Sequence, residues 1–384
     1  MRVLFVTPFY YPELKFGGPP QKIHAIARGL AQRGHDVRVL TFDHADRTSI
    51  AQRNIDGVTV QYLPWIGRGL RQWPRHQQLI DREIGVADIV HCYGLYTPLI
   101  AFASRVAAGA NKPVVQEPLG MYPPRARNRL AKHIYNRWFT RTMLRRASAV
   151  IAASATEAKE LEKITSANKI VFRRNGIDVA AFSDLPPSGL MRARWGVEPG
   201  EKVILFIGRL SPIKNLEQLI LAFAKARKME VGRWKIVLVG PSEPAYESRL
   251  RDLVRREGIH DSVVFAGPLY EQEQKAALAA ADLFVLPSLN ESFGNAAGEA
   301  VAAGVPVLLT ETCGIAPLIH GRAGLAVPLG VEHLANGIRE MLRTEVRDQV
   351  TAKREEVKRE LSWDEPIEQT IQLYERILAD QSKK

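Results

Sequence analysis

Short runs of large and β-branched apolar residues recur along this chain, each followed by a polar or glycine-rich break and then by a longer stretch with helical spacing. In the first half they are Arg2 to Thr7, Val37 to Phe42, Val58 to Leu63, Asp88 to Cys92, Pro113 to Gln116, Ala149 to Ala153 and Lys169 to Arg174. In the second half they are Val203 to Ile207, Lys235 to Val239, Ser262 to Ala266, Leu283 to Leu286 and Val305 to Leu309. Strand–helix alternation of this kind predicts an α/β architecture, with parallel sheets covered by helices on both faces. Ligands meet such sheets at the carboxyl ends of the strands, so the residues just after each run come first. In the first half these are Pro8 to Gly18, His91 to Tyr96, Glu117 to Tyr122 and Ser154 to Glu157.

With 384 residues the chain exceeds one comfortable core, and two domains are expected. Asn175-Gly-Ile-Asp178 reads as a turn and Pro186-Pro187 as a linker. The boundaries drawn are 1–183 for the first domain and 190–365 for the second. Residues 366–384 form a final helix that follows Leu361-Ser-Trp363-Asp.

A hydrophobic share of 46% beside 24% charged residues is that of an ordinary globular protein. Charged residues interrupt every candidate membrane span, and Met1 runs straight into a strand pattern that Pro8 ends, so a cytoplasmic protein is expected. Cys92 and Cys313 stand too far apart in sequence for a zinc motif and read as core or pocket-wall residues. The net charge of +12 implies an anionic partner, for which nucleic acid, an anionic membrane and phosphorylated substrates all qualify. A cationic stretch spans 125–146, with Arg125, Arg127, Arg129, Lys132, Arg137, Arg141, Arg145 and Arg146 interleaved with Tyr135, Trp138, Phe139 and Met143. Its spacing predicts an amphipathic helix with Trp138 and Phe139 toward the core and the cations toward solvent or an anionic membrane.

Chemistry concentrates in the second half. The run Leu283 to Leu286 leads through Pro287 and Ser288 into Glu291-Ser-Phe-Gly-Asn-Ala-Ala-Gly-Glu299, and Gly304-Val-Pro306 then stops a helix. Glu291 is placed in the loop and Glu299 about one turn inside the helix that starts near Gly294 and Asn295. Carboxylates accept hydrogen bonds from sugar hydroxyls, and the backbone N–H groups from Phe293 to Asn295 attract an anion. Gly298, Ala300, Ala302 and Ala303 make a small-residue stripe beside Glu299 that permits close backbone approach. Arg209 directly follows the strand Val203 to Ile207 and Lys214 opens the next helix, so the two cations are expected at the same sheet edge, as a diphosphate clamp. Strands ending in Gly240-Pro241 and in Gly267-Pro268-Leu269 offer backbone groups to a flat base. At the front of the chain Gly17 and Gly18 join a strand to a helix in the layout of a phosphate cradle, without the G-x-G-x-x-G or P-loop pattern.

The Glu291 to Glu299 segment with its trailing Gly-Val-Pro-Val resembles the signature of the family 4 retaining glycosyltransferases, also called glycosyl transferase group 1. Gly208-Arg209 with Lys214-Asn215, the Gly17-Gly18 pair and Asn175-Gly-Ile-Asp178 extend that resemblance over nearly the whole chain. It implies the GT-B fold, two Rossmann-like domains facing a cleft, and transfer of a sugar, with retention, from a nucleotide diphosphate sugar to a hydroxyl acceptor such as a lipid-linked or polysaccharide precursor. It further implies that Glu299 holds the ribose, that Glu291 lies against the donor sugar, that Arg209 and Lys214 bind the diphosphate, and that Gly18 touches the diphosphate or the acceptor. Pro268 and Leu269 fall in the loop that reads the base, and the last helix crosses back onto the first domain.

Three departures from the family pattern concern the acceptor side and one neighbouring loop. Tyr93 stands where relatives often have a histidine, Leu119 stands where another is common, and Pro317 stands where an acid is usual. Tyr93, Glu117 and Asn175 remain as acceptor-side candidates, and His91 reads as a core histidine. No Asp-x-Asp element is present, so metal independence is expected, with no cofactor besides the co-substrate. Peripheral contact with the inner membrane face is expected through 125–146, and nucleic acid is not an expected partner. The alternatives are a nucleotide-sugar epimerase on the same fold and a polyanion-binding module; a dinucleotide oxidoreductase ranks last because its glycine fingerprint is missing.

Overall fold

The computed structural model describes residues 1–13, 18–67, 72–122, 135–229 and 232–382. The chain forms two compact units, Met1–Gly176 with Trp363–Lys384, and Ile177–Ser362. The crossing falls at Gly176, not in the proline-rich linker after 183, because Ile177 already belongs to the second unit. Its N–H donates to Leu361 O (2.6 Å) and its side chain is buried in that unit's core.

The strands of the first unit are β1 (Arg2–Val6), β2 (Asp36–Phe42), β3 (Ala51–Ile55), β4 (Val58–Leu63), β5 (Trp65–Ile66), β6 (Trp73–Pro74), β7 (Ile89–Tyr93), β8 (Val114–Glu117), β9 (Ala149–Ala152) and β10 (Ile170–Phe172). Eight of them make one sheet in the order β10-β9-β8-β7-β1-β2-β4-β3, while β5 and β6 pair by themselves. All neighbours in the large sheet run parallel except β3 and β4. Apolar periodicity does not reveal β3, because Ala-Gln-Arg-Asn-Ile has no hydrophobic face and its three central residues are exposed at the sheet edge.

Helix α1 (Gly18–Gln32) follows β1 and packs against the C-terminal helix α5 (Asp364–Gln381). The fit is close: a Cβ on Gly29 would lie 2.1 Å from Ile367 Cδ1. Ile367, Ile371, Leu373, Tyr374 and Ile377 are all buried on this face. At about 1.5–3 kcal/mol for each large apolar side chain, that burial outweighs the exposed polar back of α5. Gly176 admits no side chain either, since a Cβ there would meet Trp363 at 2.6 Å.

The second unit has β11 (Lys202–Ile207), β12 (Trp234–Val239), β13 (Val263–Gly267), β14 (Leu283–Leu286), β15 (Val307–Thr310) and β16 (Gly324–Val327). Their order is β13-β12-β11-β14-β15-β16, parallel throughout. The first strand sits in the middle and the order reverses between β11 and β14, which makes that gap the topological switch point of a doubly wound sheet. Sequence pattern misses β16, a four-residue strand led by Gly324, whose Cβ would strike Val307 O at 1.9 Å. Helices α2 (Leu216–Met229), α3 (Gln272–Ala279) and α4 (Asn295–Ala302) follow β11, β13 and β14.

Candidate functional site

Arg209 and Lys214 leave the end of β11, and Glu291 leaves the end of β14, on the two sides of the switch point in the second unit. Lys214 Nζ donates to Glu291 Oε2, and both side chains are about a fifth exposed. Arg209 is exposed. The turn that carries Lys214 is held from below by Asn215, whose left-handed backbone (φ 58°) ends it and whose buried Nδ2 donates to Pro287 O (3.1 Å). Leu289 N–H reaches Ile213 O (2.9 Å) alongside. These two bonds fasten the Arg209–Lys214 loop to the loop that carries Glu291.

The other side of the Glu291 loop is fixed by the segment after β15. Glu291 N–H donates to Thr312 O, Gly314 N–H to Glu291 O (3.0 Å) and Ile315 N–H to Phe293 O (2.8 Å). Gly314 is required for that approach, because a Cβ would lie 2.2 Å from Ser292 O. Pro317, where the family pattern implies an acid, is the second residue of a four-residue helix, Ala316–Ile319, and nothing in the structure explains the change.

Gly294 caps α4 at φ 113°, a conformation that favours glycine, and contributes no side chain over the first turn. Phe293 is buried in the core, so only its backbone faces the loop, while Asn295 is half-buried as the first helical residue. Glu299 accepts a hydrogen bond from Gln274 Nε2 (2.8 Å), and burial pushes its carboxyl up to about 7 against that bond. The small-residue stripe beside Glu299 serves packing instead of a ligand: a Cβ on Gly298 would meet Ile177 Cγ1 at 2.7 Å, and Ala300 is fully buried. In the loop after β13, Pro268 is exposed, Leu269 is buried and Tyr270 is 62% exposed.

In the first unit Gly18 is the first residue of α1, and Gly17 lies outside the described residues. Two acceptor-side expectations are corrected here, because Tyr93 and Glu117 have no exposure at all. Glu117 is the centre of a buried network, paired with Lys22 Nζ (2.5 Å) and Arg173 (2.5 Å) and lying 3.5 Å from His91 Nε2. Burial would raise the Glu117 carboxyl, but Arg173 and Lys22 outweigh it and hold it well below the usual range. His91, as its core reading requires, is fully buried and its Nδ1 meets Tyr374 OH at 2.5 Å; burial lowers the imidazole to about 4. Arg173 also donates to Thr370 Oγ1 (2.6 Å), so the network ties α5 to the sheet. Asn175 is half-buried just beyond β10. Cys92 and Cys313 are buried thiols, pushed by burial up to about 12 and 11.

The expectation for Trp138 and Phe139 is reversed. They are 68% and 50% exposed, on a π-helical turn, Asn136–Thr140, that buries Asn136 and Thr140 instead. The five-residue hydrogen-bonding pattern rotates the face that the α-helical count places inward. Positions 125–134 lie outside the described residues.

Residues 17–176 match the glycosyl transferase 4-like domain, and residues 189–359 match the glycosyl transferases group 1. The chain is 27% identical to an uncharacterised glycosyltransferase of Methanocaldococcus jannaschii over 97% of this chain and 98% of that protein. It is also 27% identical to the GDP-mannose:cellobiosyl-diphosphopolyprenol alpha-mannosyltransferase of Komagataeibacter xylinus, over 98% and 94%. Among solved structures, Anabaena HepE in complex with UDP and glucose superposes with a TM-score of 0.69 at 21% identity, covering the whole of both chains. The fold is therefore that of the GT-B glycosyltransferases. The chain belongs to the group 1 glycosyltransferases of family 4 type, and it is a glycosyltransferase by class.

Proposed function

We propose that the second unit binds a nucleoside diphosphate sugar and that the enzyme transfers its sugar, with retention and without a metal, to a hydroxyl acceptor. The observation that carries this reading is the meeting of Lys214 with Glu291 across the switch point, beside the exposed Arg209. When the glycosyl–phosphate bond breaks, its electron pair passes to the departing diphosphate oxygen. Arg209, Lys214 and the N–H groups at the start of α4 supply fixed positive charge for that oxygen. Glu291 accepts hydroxyls of the donor sugar and Glu299 those of the ribose, in keeping with the resemblance. The Pro268–Leu269 loop takes the base through its backbone, since Leu269 itself is turned inward. Retention rests on the family resemblance, and the two cations take the charge that a metal would otherwise neutralise. The named relatives act with GDP-mannose or bind UDP, which supports a nucleotide donor here.

Thermal-shift screening against a panel of nucleotide-sugars tests the reading. A true donor at 100 times its dissociation constant adds about 2.7 kcal/mol of stability. Silence across the panel would sink the donor assignment.

A membrane-linked acceptor is favoured by the inverted turn in the first unit. Trp138 and Phe139 stand outward between exposed Arg137, Arg141, Arg145 and Arg146, while Asn136 and Thr140 point in. Aromatic rings among cations suit the headgroup region of an anionic bilayer. Among the described residues no helix is long and apolar enough to cross a membrane, so the contact proposed is peripheral.

A further inference from the structure

Glu117, fully buried, and Glu299, half-buried, are held in opposite ways. Glu117 is ion-paired with Lys22 and Arg173, which neutralise it, and lies 3.5 Å from His91 Nε2. Glu299 is met by the neutral amide of Gln274 at one oxygen, and among the described residues no cation pairs with it. A neutral donor fixes a carboxylate without cancelling its charge. The second oxygen keeps its acceptor capacity.

Gln274 is also well fixed. It lies in α3, directly after the loop of Pro268 and Leu269, and buried Leu269 pins that loop into the core. Glu271 at the helix start has φ 46°, which a side-chain-bearing residue adopts only when its surroundings impose it. Glu299 is set from the other side by α4, whose Ala297 and Ala300 are fully buried. The hydrogen bond therefore joins two rigid segments.

We propose that Gln274 is a positioning residue for the donor nucleotide: by holding Glu299 Oε2 it turns the other carboxylate oxygen toward the ribose hydroxyls. This rests on reading Glu299 as the ribose contact. The bond also couples the base loop to the ribose carboxylate, so that a base seated on Pro268–Leu269 finds Glu299 already oriented.

The test is calorimetric titration of the wild-type enzyme, Gln274→Leu and Gln274→Ala with the ribonucleoside diphosphates of all four bases and their 2′- and 3′-deoxy counterparts. Wild type is expected to lose roughly tenfold in affinity when a contacted hydroxyl is removed. Both variants should bind the ribonucleotide roughly 5- to 20-fold more weakly and shrink the deoxy penalty to within about twofold, with kcat at saturating donor within about twofold of wild type. The penalty is a ratio within each variant, so partial unfolding does not mimic it. If wild type discriminates and both variants discriminate equally, the positioning role is overturned while the ribose reading stands. If wild type is indifferent to the hydroxyls, or binds none of the diphosphates, both are overturned.

Discussion

Lys214 and Glu291, separated by 77 positions in the sequence, share a hydrogen-bonded ion pair at the point where the strand order of the second sheet reverses. Neither is held by its own loop alone. Asn215 and the Leu289 N–H tie the two loops together, and the Gly314 approach braces the Glu291 side from β15. The pair is partly exposed, so a ligand phosphate can compete with Glu291 for the ammonium.

Arg209→Ala and Lys214→Ala should each lower kcat on the order of 100-fold with a proven donor, because each removes a cation from the developing diphosphate charge. Steady-state kinetics on variants with unchanged circular dichroism check this. Full activity in either would remove that residue from the clamp.

Glu299 carries a stability cost that its replacement should relieve. Its carboxyl stands near 7 in the folded protein against 4.5 for the free group, so between those values the folded state holds a proton that the unfolded state gives up. Stability from this group therefore declines as pH rises from 4.5 to 7. Glu299→Gln should be more stable than wild type at pH 8 by on the order of 1–2 kcal/mol, with the difference shrinking toward pH 5, while nucleotide affinity drops. Urea unfolding at the two pH values measures it, and equal differences at both would contradict the burial argument.

The network in the first unit should behave in the reverse sense. His91 is lowered from 6.5 to about 4, so the unfolded state binds more protons in that window and stability is lost as pH falls through it. Glu117, depressed by Arg173 and Lys22, adds a loss that begins below 4.5. Glu117→Gln should cost about 3–5 kcal/mol at pH 7, since it strands two buried cations. Thermal melts of wild type and His91→Gln at pH 7 and 5 check the histidine part: the wild-type loss should be the larger.

Trp138→Ala with Phe139→Ala should reduce co-sedimentation with phosphatidylglycerol vesicles several-fold and leave turnover on a soluble acceptor unchanged. Arg137→Glu with Arg141→Glu should do so more strongly and steepen the dependence on salt. Binding that survives both pairs would place the membrane contact elsewhere or nowhere.

The alternation of apolar runs and helical stretches was enough to determine two α/β halves, because a strand buried on both faces must be apolar whatever surrounds it. The spacing from Glu291 to Glu299 and the order Arg209, Lys214, Asn215 were likewise legible, since each lies within one strand–loop–helix unit whose geometry is local. Strands β3 and β16 were not legible. One is a polar edge and the other depends on a glycine that fits only against β15.

What the chain order could not decide was which polar residues face each other. Tyr93 and Glu117 end strands at the expected edge, yet Lys22 from α1 and Arg173 beyond β10 close over Glu117 and remove it from any acceptor. Gln274 gives no signal within its own polar stretch, and only the tertiary fold brings it to Glu299, 25 positions on. Trp138 and Phe139 follow the same rule: their apolar character was plain in the sequence, but the direction they point depends on a π-helical turn and on what buries Asn136 and Thr140. Residue type and local spacing define what a side chain can do, whereas burial and partners, set by segments distant in sequence, define whether it is free to do it.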